Sequence, residues 1–202
     1  MKTTTARFLS PEQMKVKNKT GGFIDIKDNS FVCLEGILYD IAFNVIHRFW
    51  NKNISWNFLK STIENNWPKV NVIGSELQTT LIAIVYSAYA QLRKTRKDDV
   101  ILDVQRNFTL YQQAKRLDCL LFRHNHYVIR DVKASVSGIN PPKQYLIQLA
   151  EYALGAEKYR KLGENKVTVG ELLVVDPFQL IVVNLTKAKE EIVRQVRNGT
   201  YF

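Results

Sequence analysis

Residues 116–133 run Arg116-Leu117-Asp118-Cys119-Leu120-Leu121-Phe122-Arg123-His124-Asn125-His126-Tyr127-Val128-Ile129-Arg130-Asp131-Val132-Lys133. Two apolar runs flank His124-Asn125, and Asn tolerates the left-handed backbone that a two-residue hairpin turn requires. The spacing therefore predicts two antiparallel strands with Arg123 opposite His126, Phe122 opposite Tyr127 and Asp118 opposite Asp131. Strand side chains alternate between faces. Asp118, Asp131 and Lys133 then share one face with Leu120, Phe122, Tyr127 and Ile129. The reverse face, with Leu117, Cys119, Leu121, Val128 and Val132, is also apolar, as in a central strand pair covered on both sides. A three-residue turn would instead send the two acids to opposite faces.

Upstream, Leu34, Ile37, Leu38, Ile41, Val45, Ile46 and Phe49 recur at helical spacing within 31–50. Further helices are expected over 56–65, ending near Pro68, and over 76–96, capped by Ser75. Strands follow at Val100–Leu110, 115–123 and 126–134. Pro141-Pro142 introduces a helix to about Leu162, with Pro142 tolerated in its first turn. Strands at 167–175 and 179–185 flank Asp176-Pro177, and Thr186 can cap a last helix to Arg197. Helices, three strands, helix, two strands, helix: this order predicts an α/β fold with a mixed sheet flanked by helices.

The 202 residues, 46% of them hydrophobic, are enough for one compact domain, expected at 23–202 behind a basic, flexible arm at 1–22. Lys and Arg number 29 against 19 acids, a formal charge of +10. That balance favours acidic partners, nucleic acid or an anionic membrane surface. No apolar run is long enough to cross a bilayer, and the N-terminus lacks the apolar core of a signal peptide. The expected setting is intracellular and cytoplasmic, with no membrane partner. Cys33 and Cys119 fit buried free thiols and are too few for an all-cysteine zinc site or an iron–sulfur cluster. No Gly-x-x-x-x-Gly-Lys loop is present, so ATP use is not expected. His124 and His126 lack a third zinc ligand beside them, and His47 stands alone on the first helix. Arg93, Lys94, Arg96 and Lys97, and Lys158, Arg160 and Lys161, suit either helix ends or a DNA backbone. Trp50, Trp56 and Trp67 sit in helical context, which favours packing over base stacking.

Two carboxylates roughly 5 Å apart across a strand pair are destabilising without a counter-charge, and burial sharpens the conflict. A hard divalent cation, Mg2+ or Mn2+, resolves it, with the Val132 carbonyl as a further ligand. Lys133 beside them can orient water or stabilise charge on a phosphate. Gln148 and Tyr152 lie four apart on one helix face, placed to meet a DNA phosphate or the carboxylates. The bland alternatives are a salt-bridged strand end and a polar pair on an amphipathic helix.

Asp118, then Asp131-Val132-Lys133, then Gln148-Leu149-Ala150-Glu151-Tyr152 resembles the PD-(D/E)XK nuclease superfamily, in its RecB-type branch with a Gln-x-x-x-Tyr helix. The resemblance covers residues 31 to about 185. It implies a restriction-endonuclease-like core and Mg2+- or Mn2+-dependent DNA cleavage. Asp118 and Asp131 match the metal-binding acids, Lys133 the catalytic lysine, and Gln148 and Tyr152 the helix pair. RecB-type members carry Gly-x-x-x-His on the first helix. Here Gly36-Ile37-Leu38-Tyr39-Asp40 places Asp40 at the histidine position, as a metal ligand beside a glycine that permits close approach, with Glu35 and Glu76 as competing acids. Lys115 replaces the glycine of the family's Gly-x-x-Asp pattern, and the cluster cysteines of the iron–sulfur members are missing, so no iron–sulfur cluster is expected. In size the chain is similar to small nucleases of archaeal viruses. The expected partner is DNA, with a homodimer left open. The alternative function is a non-catalytic DNA-binding protein that retains the nuclease fold.

Overall fold

A computed structural model describes residues 15–17, 23–25, 28–66, 75–135 and 142–201. Helices α1 (Asp28–Arg48), α2 (Trp56–Asn66) and α3 (Ser75–Arg96) precede strands β3 (Val100–Leu110), β4 (Gln113–Arg123) and β5 (His126–Lys133). Helix α4 (Lys143–Arg160), strands β6 (Val167–Val174) and β7 (Gln179–Asn184) and helix α5 (Thr186–Arg197) complete the chain. The sheet order is β3-β4-β5-β6-β7. Every neighbouring pair is antiparallel except β5–β6, whose parallel crossover carries α4. The fold is thus α/β with a five-strand mixed sheet flanked by helices.

Ahead of it, β1 (Lys15–Lys17) pairs antiparallel with β2 (Phe23–Asp25). Part of the expected flexible arm is therefore a strand, and the remainder of 1–22 lies outside the described residues, as does Trp67. Among the described residues no helix is long and apolar enough to cross a membrane.

Backbone stereochemistry fixes the register. His124 and Asn125 both have positive φ, 45° and 64°, as a type I′ turn demands. Leu121 pairs with Val128 and Phe122 with Tyr127, as the two-residue turn predicts. A second turn of the same kind joins β3 to β4 through Tyr111 and Gln112, at φ 47° and 67°. Neither residue is a usual turn former. Here Tyr111 is held edge-on against Tyr201, with ring centroids 5.6 Å apart. Pro142 stands just before α4 as its N-cap position instead of within its first turn. Thr186 is the first residue of α5, and its N–H is capped by Asn184 Oδ1 at 2.9 Å.

One sheet face packs against α1–α3, where Leu38, Phe43, Ile46, Trp50, Ile82 and Leu92 meet Leu173 and Val175. The other packs against α4, where Leu149, Tyr152, Ala153 and Ala156 meet Leu117, Leu120, Ile129 and Leu172. Each buried Leu, Ile, Val or Phe among these contributes about 1.5–3 kcal/mol. Helix α4 lies close on β3 because Gly155 has no side chain: a Cβ there would stand 2.0 Å from the Phe108 ring.

The face toward α1–α3 also buries an ionic network. Arg130, fully buried, donates to Asp99 Oδ2 at 2.6 Å and to Glu171 Oε2 at 2.7 Å. Arg123 and Arg96 donate to Glu171 Oε1 at 2.7 and 3.3 Å. Strands β4, β5 and β6 and the C-terminal end of α3 are thereby tied at one point. Burial alone would raise the Glu171 carboxyl, but Arg130 and Arg123 outweigh it and hold the pKa down to about 2. A carboxyl depressed on folding stabilises the fold above its ordinary 4.5 and loses that contribution as pH falls through about 2. Glu171→Gln leaves the buried Arg130 with Asp99 as its remaining carboxylate partner, with an expected loss of about 3 kcal/mol in denaturant unfolding at neutral pH. The wild-type advantage over this variant should shrink as acid is added from pH 4.5 downward.

Candidate active site

The β4–β5 ladder stops at Cys119 and Arg130. One step further on β4, Asp118 breaks the strand alternation. Leu117 and Leu120 both pack on the α4 side, although residues three apart in a regular strand face opposite ways. The expected ladder pair of Asp118 with Asp131, and the expected place of Leu117 on the reverse face, are therefore not what forms. The Asp118 side chain takes over a main-chain role, its Oδ2 accepting the Val132 N–H at 2.9 Å. Strand N–H groups point along the sheet plane, so this carboxylate lies in the fork between the two strands.

Asp131 comes to the same fork, and the two carboxyls are close enough to share a hydrogen bond. Burial, then Asp131, drives the Asp118 pKa well above the ordinary range. Burial also raises Asp131, against the opposing pull of Lys133. Lys133 Nζ lies 2.7 Å from Asp131 Oδ2. That contact is an ion pair without hydrogen-bond direction, and Asp131 Oδ2 remains a buried oxygen with no directed donor.

Lys133 Nζ also donates to Gln148 Oε1 at 3.1 Å, and Gln148 Nε2 to Tyr152 Oη at 2.6 Å. Burial, then the Asp131 charge, raises the Tyr152 pKa, so this phenol stays neutral. Residues from β4, β5 and α4 thus form one chain: Asp118, Asp131, Lys133, Gln148, Tyr152. Beside it is a depression of about 360 Å³ lined by Lys115, Gln144, Tyr145, Gln148, Glu151 and Tyr152. Lys133 Nζ sits 4.9 Å from the centre of the Tyr145 ring.

No protein-family model and no curated protein sequence matches this chain. The site therefore rests on its own geometry.

Asp40 lies on α1, across the sheet from α4. Its charge raises the pKa of both Asp118 and Asp131. Gln105 Nε2 donates to its Oδ1 at 2.6 Å, and Arg116 Nη2 to its Oδ2 at 3.1 Å. Among the described residues, no three His, Cys, Asp or Glu side chains form a ready-made ligand group. A Cβ on Gly36 would meet nothing within 4 Å among the described residues, so the close approach expected there is not found. The side chains of Glu35, Glu76 and Cys33 lie outside the described residues.

Other sequence candidates are placed elsewhere. His47 is buried, and His124 and His126 are exposed at their turn. Trp50 is buried and Trp56 packs edge-on against Tyr86. Arg96 binds Glu171, and Arg160 binds Asp103, so neither is a free surface cation. Lys94, Lys97, Lys158 and Lys161 are exposed. Cys119 is buried and free, its thiol pushed up to about 12 by burial, which keeps it unreactive. Gln105, Arg116 and Tyr145 carried no sequence signal of their own, because each acts through a partner distant in the chain.

A carboxyl raised on folding takes up a proton more readily folded than unfolded. Metal-free stability should therefore fall as pH rises from the ordinary Asp range through the raised value. Asp118→Asn keeps a carbonyl to accept the Val132 N–H and removes the repulsion. Its metal-free Tm at pH 8 should exceed that of wild type by about 2–4 °C for each kcal/mol relieved. Thermal unfolding in EDTA at pH 5 and pH 8 measures this, with the larger gain at pH 8.

Proposed function

We propose that this protein is a divalent-metal-dependent DNA nuclease of RecB type, a phosphodiester hydrolase acting on cytoplasmic DNA. The observation that carries the reading is Asp131 Oδ2: a buried carboxyl oxygen whose one close cation, Lys133 Nζ at 2.7 Å, makes no directed hydrogen bond, beside a second acid that shares its fork. Two carboxylates, the Val132 carbonyl, Asp40 and solvent suit Mg2+ or Mn2+, which bind oxygen and keep several of their waters. The bound ion would supply Lewis-acid polarisation of a phosphate oxygen and a more acidic water.

The chain's own residues account for the rest. Lys133 has three N–H donors, with Asp131 and Gln148 at two of its contacts. The remaining valence can meet a non-bridging phosphate oxygen and offset charge that grows there during attack. Gln148 fixes the Lys133 ammonium and, with Tyr152, offers neutral donors to the adjoining phosphate. Lys115 and the exposed Arg116 border the site, paired with Glu151 and Asp40, and offset part of the acidic charge that a polyanion would meet there. The reaction adds water across a phosphodiester, breaking one P–O bond and leaving one phosphate and one hydroxyl end.

A second reading, a non-catalytic DNA-binding protein with the same fold, is favoured by the lack of a ready-made three-ligand group among the described residues. Circular and linear DNA, single- and double-stranded, incubated with Mg2+, Mn2+ or EDTA separates the two. Cleavage that needs the metal, and that drops at least about 100-fold in Asp131→Ala and in Lys133→Ala with circular dichroism unchanged, supports the nuclease. Undiminished cutting by both variants sinks the assignment of these residues. DNA binding that persists in EDTA, with no cleavage under either metal, establishes the second reading.

A further inference from the structure

We propose that Gln105 is a positioning residue that orients Asp40 toward the Asp118–Asp131 pair, completing the cation site from the opposite face of the sheet. The inference rests on the nuclease reading and names a residue that its motifs do not contain. Gln105 lies in the middle of β3, yet its φ is +52°, a left-handed conformation that an L side chain adopts only under constraint. On either side Val104 pairs with Cys119 and Arg106 with Leu117. The ladder skips the step between them, where Gln105 stands across from Asp118. The two breaks in the sheet coincide, and both side chains leave the normal alternation there.

What the distorted backbone achieves is a 2.6 Å hydrogen bond from Gln105 Nε2 to Asp40 Oδ1. Strained residues persist when the surroundings over-determine them, and they cluster at working sites. The second contact on Asp40 is weaker. Arg116 is 54% exposed on its side chain, and a solvated pair of this kind holds geometry poorly. A carboxylate has about four lone-pair sites, so a donor on each oxygen leaves room for a cation. The charge of Asp40 acts on both acids of the fork, but the three do not close into a ligand group among the described residues, so Asp40 would hold the cation through one of the waters that such an ion keeps. A hydrogen bond from behind a ligand fixes its orientation, and losing one typically weakens metal binding about 10–100-fold.

Mn2+ titration of the full chain without DNA, followed by electron paramagnetic resonance or calorimetry, tests this apart from catalysis. Gln105→Ala should weaken Mn2+ binding about 10-fold. Asp40→Asn should do at least as much, and the double variant should be no weaker than Asp40→Asn alone. Gln105→Gly, which accepts the positive φ without strain, should lose the same affinity while its metal-free Tm stays at or above that of wild type. That combination separates positioning from a structural role. Mn2+ affinity of both Gln105 variants within about twofold of wild type, or losses that add in the double variant, overturns the inference alone. Tighter binding also overturns it, since Gln105 would then be holding Asp40 back. A wild-type chain that binds no Mn2+ overturns the nuclease reading together with the inference.

Discussion

Two carboxyl groups that repel each other are held at the fork between β4 and β5, and the surrounding structure is arranged around that conflict. Asp118 is fixed by the Val132 N–H and Asp131 by its place in a strand paired to β6. Asp131 is buried, and the half-buried Asp118 is tethered by the Val132 N–H, so neither turns freely into water. Proton uptake relieves the repulsion at low pH, and Lys133 relieves part of it from one side. A divalent ion would relieve it at neutral pH without moving the backbone. Alternation fails at Asp118 and at Gln105 together, where the β3–β4 ladder skips a step.

On the face toward α1–α3 the same strands carry the opposite solution to buried charge. Arg130, next to Asp131 in sequence, is matched by Asp99 and Glu171, with Arg123 and Arg96 completing the network. There the anions have protein partners and Glu171 is held low; at the fork the acids have too few, and both are raised. Adjacent residues of β5 thus separate a satisfied structural cluster from an unsatisfied candidate site. This contrast distinguishes the fork from an ordinary strand-end salt bridge better than the presence of acids does.

Much of the architecture was legible because its signals are local. Helical spacing in 31–50 and alternating apolar strands follow from side-chain geometry over a few residues, and His124-Asn125 announces its own turn. The hairpin register then brought Asp118, Asp131 and Lys133 into one neighbourhood. The means of their meeting was not legible. The break in alternation at Asp118 depends on tertiary competition between its side chain and a main-chain acceptor for the Val132 N–H. The Tyr111-Gln112 turn escaped for a similar reason, as contact with Tyr201, distant in the chain, supports a backbone that neither residue favours. Arg96 and Arg160 looked like surface cations because helix-end position says nothing of a buried acid across the fold.

The bare backbone of Gly155 sets how close α4 sits to β3. Gln148 lies seven residues earlier on the same helix, roughly 10 Å along its axis at 1.5 Å per residue. Since a helix moves as a rod, the height of one end over Phe108 governs where the other end presents its amide to Lys133. Reach and alignment at the fork are consequently set by an uncharged spacer, and fine adjustment of the chemistry can come from apolar contacts such as that of Phe108 with Tyr152.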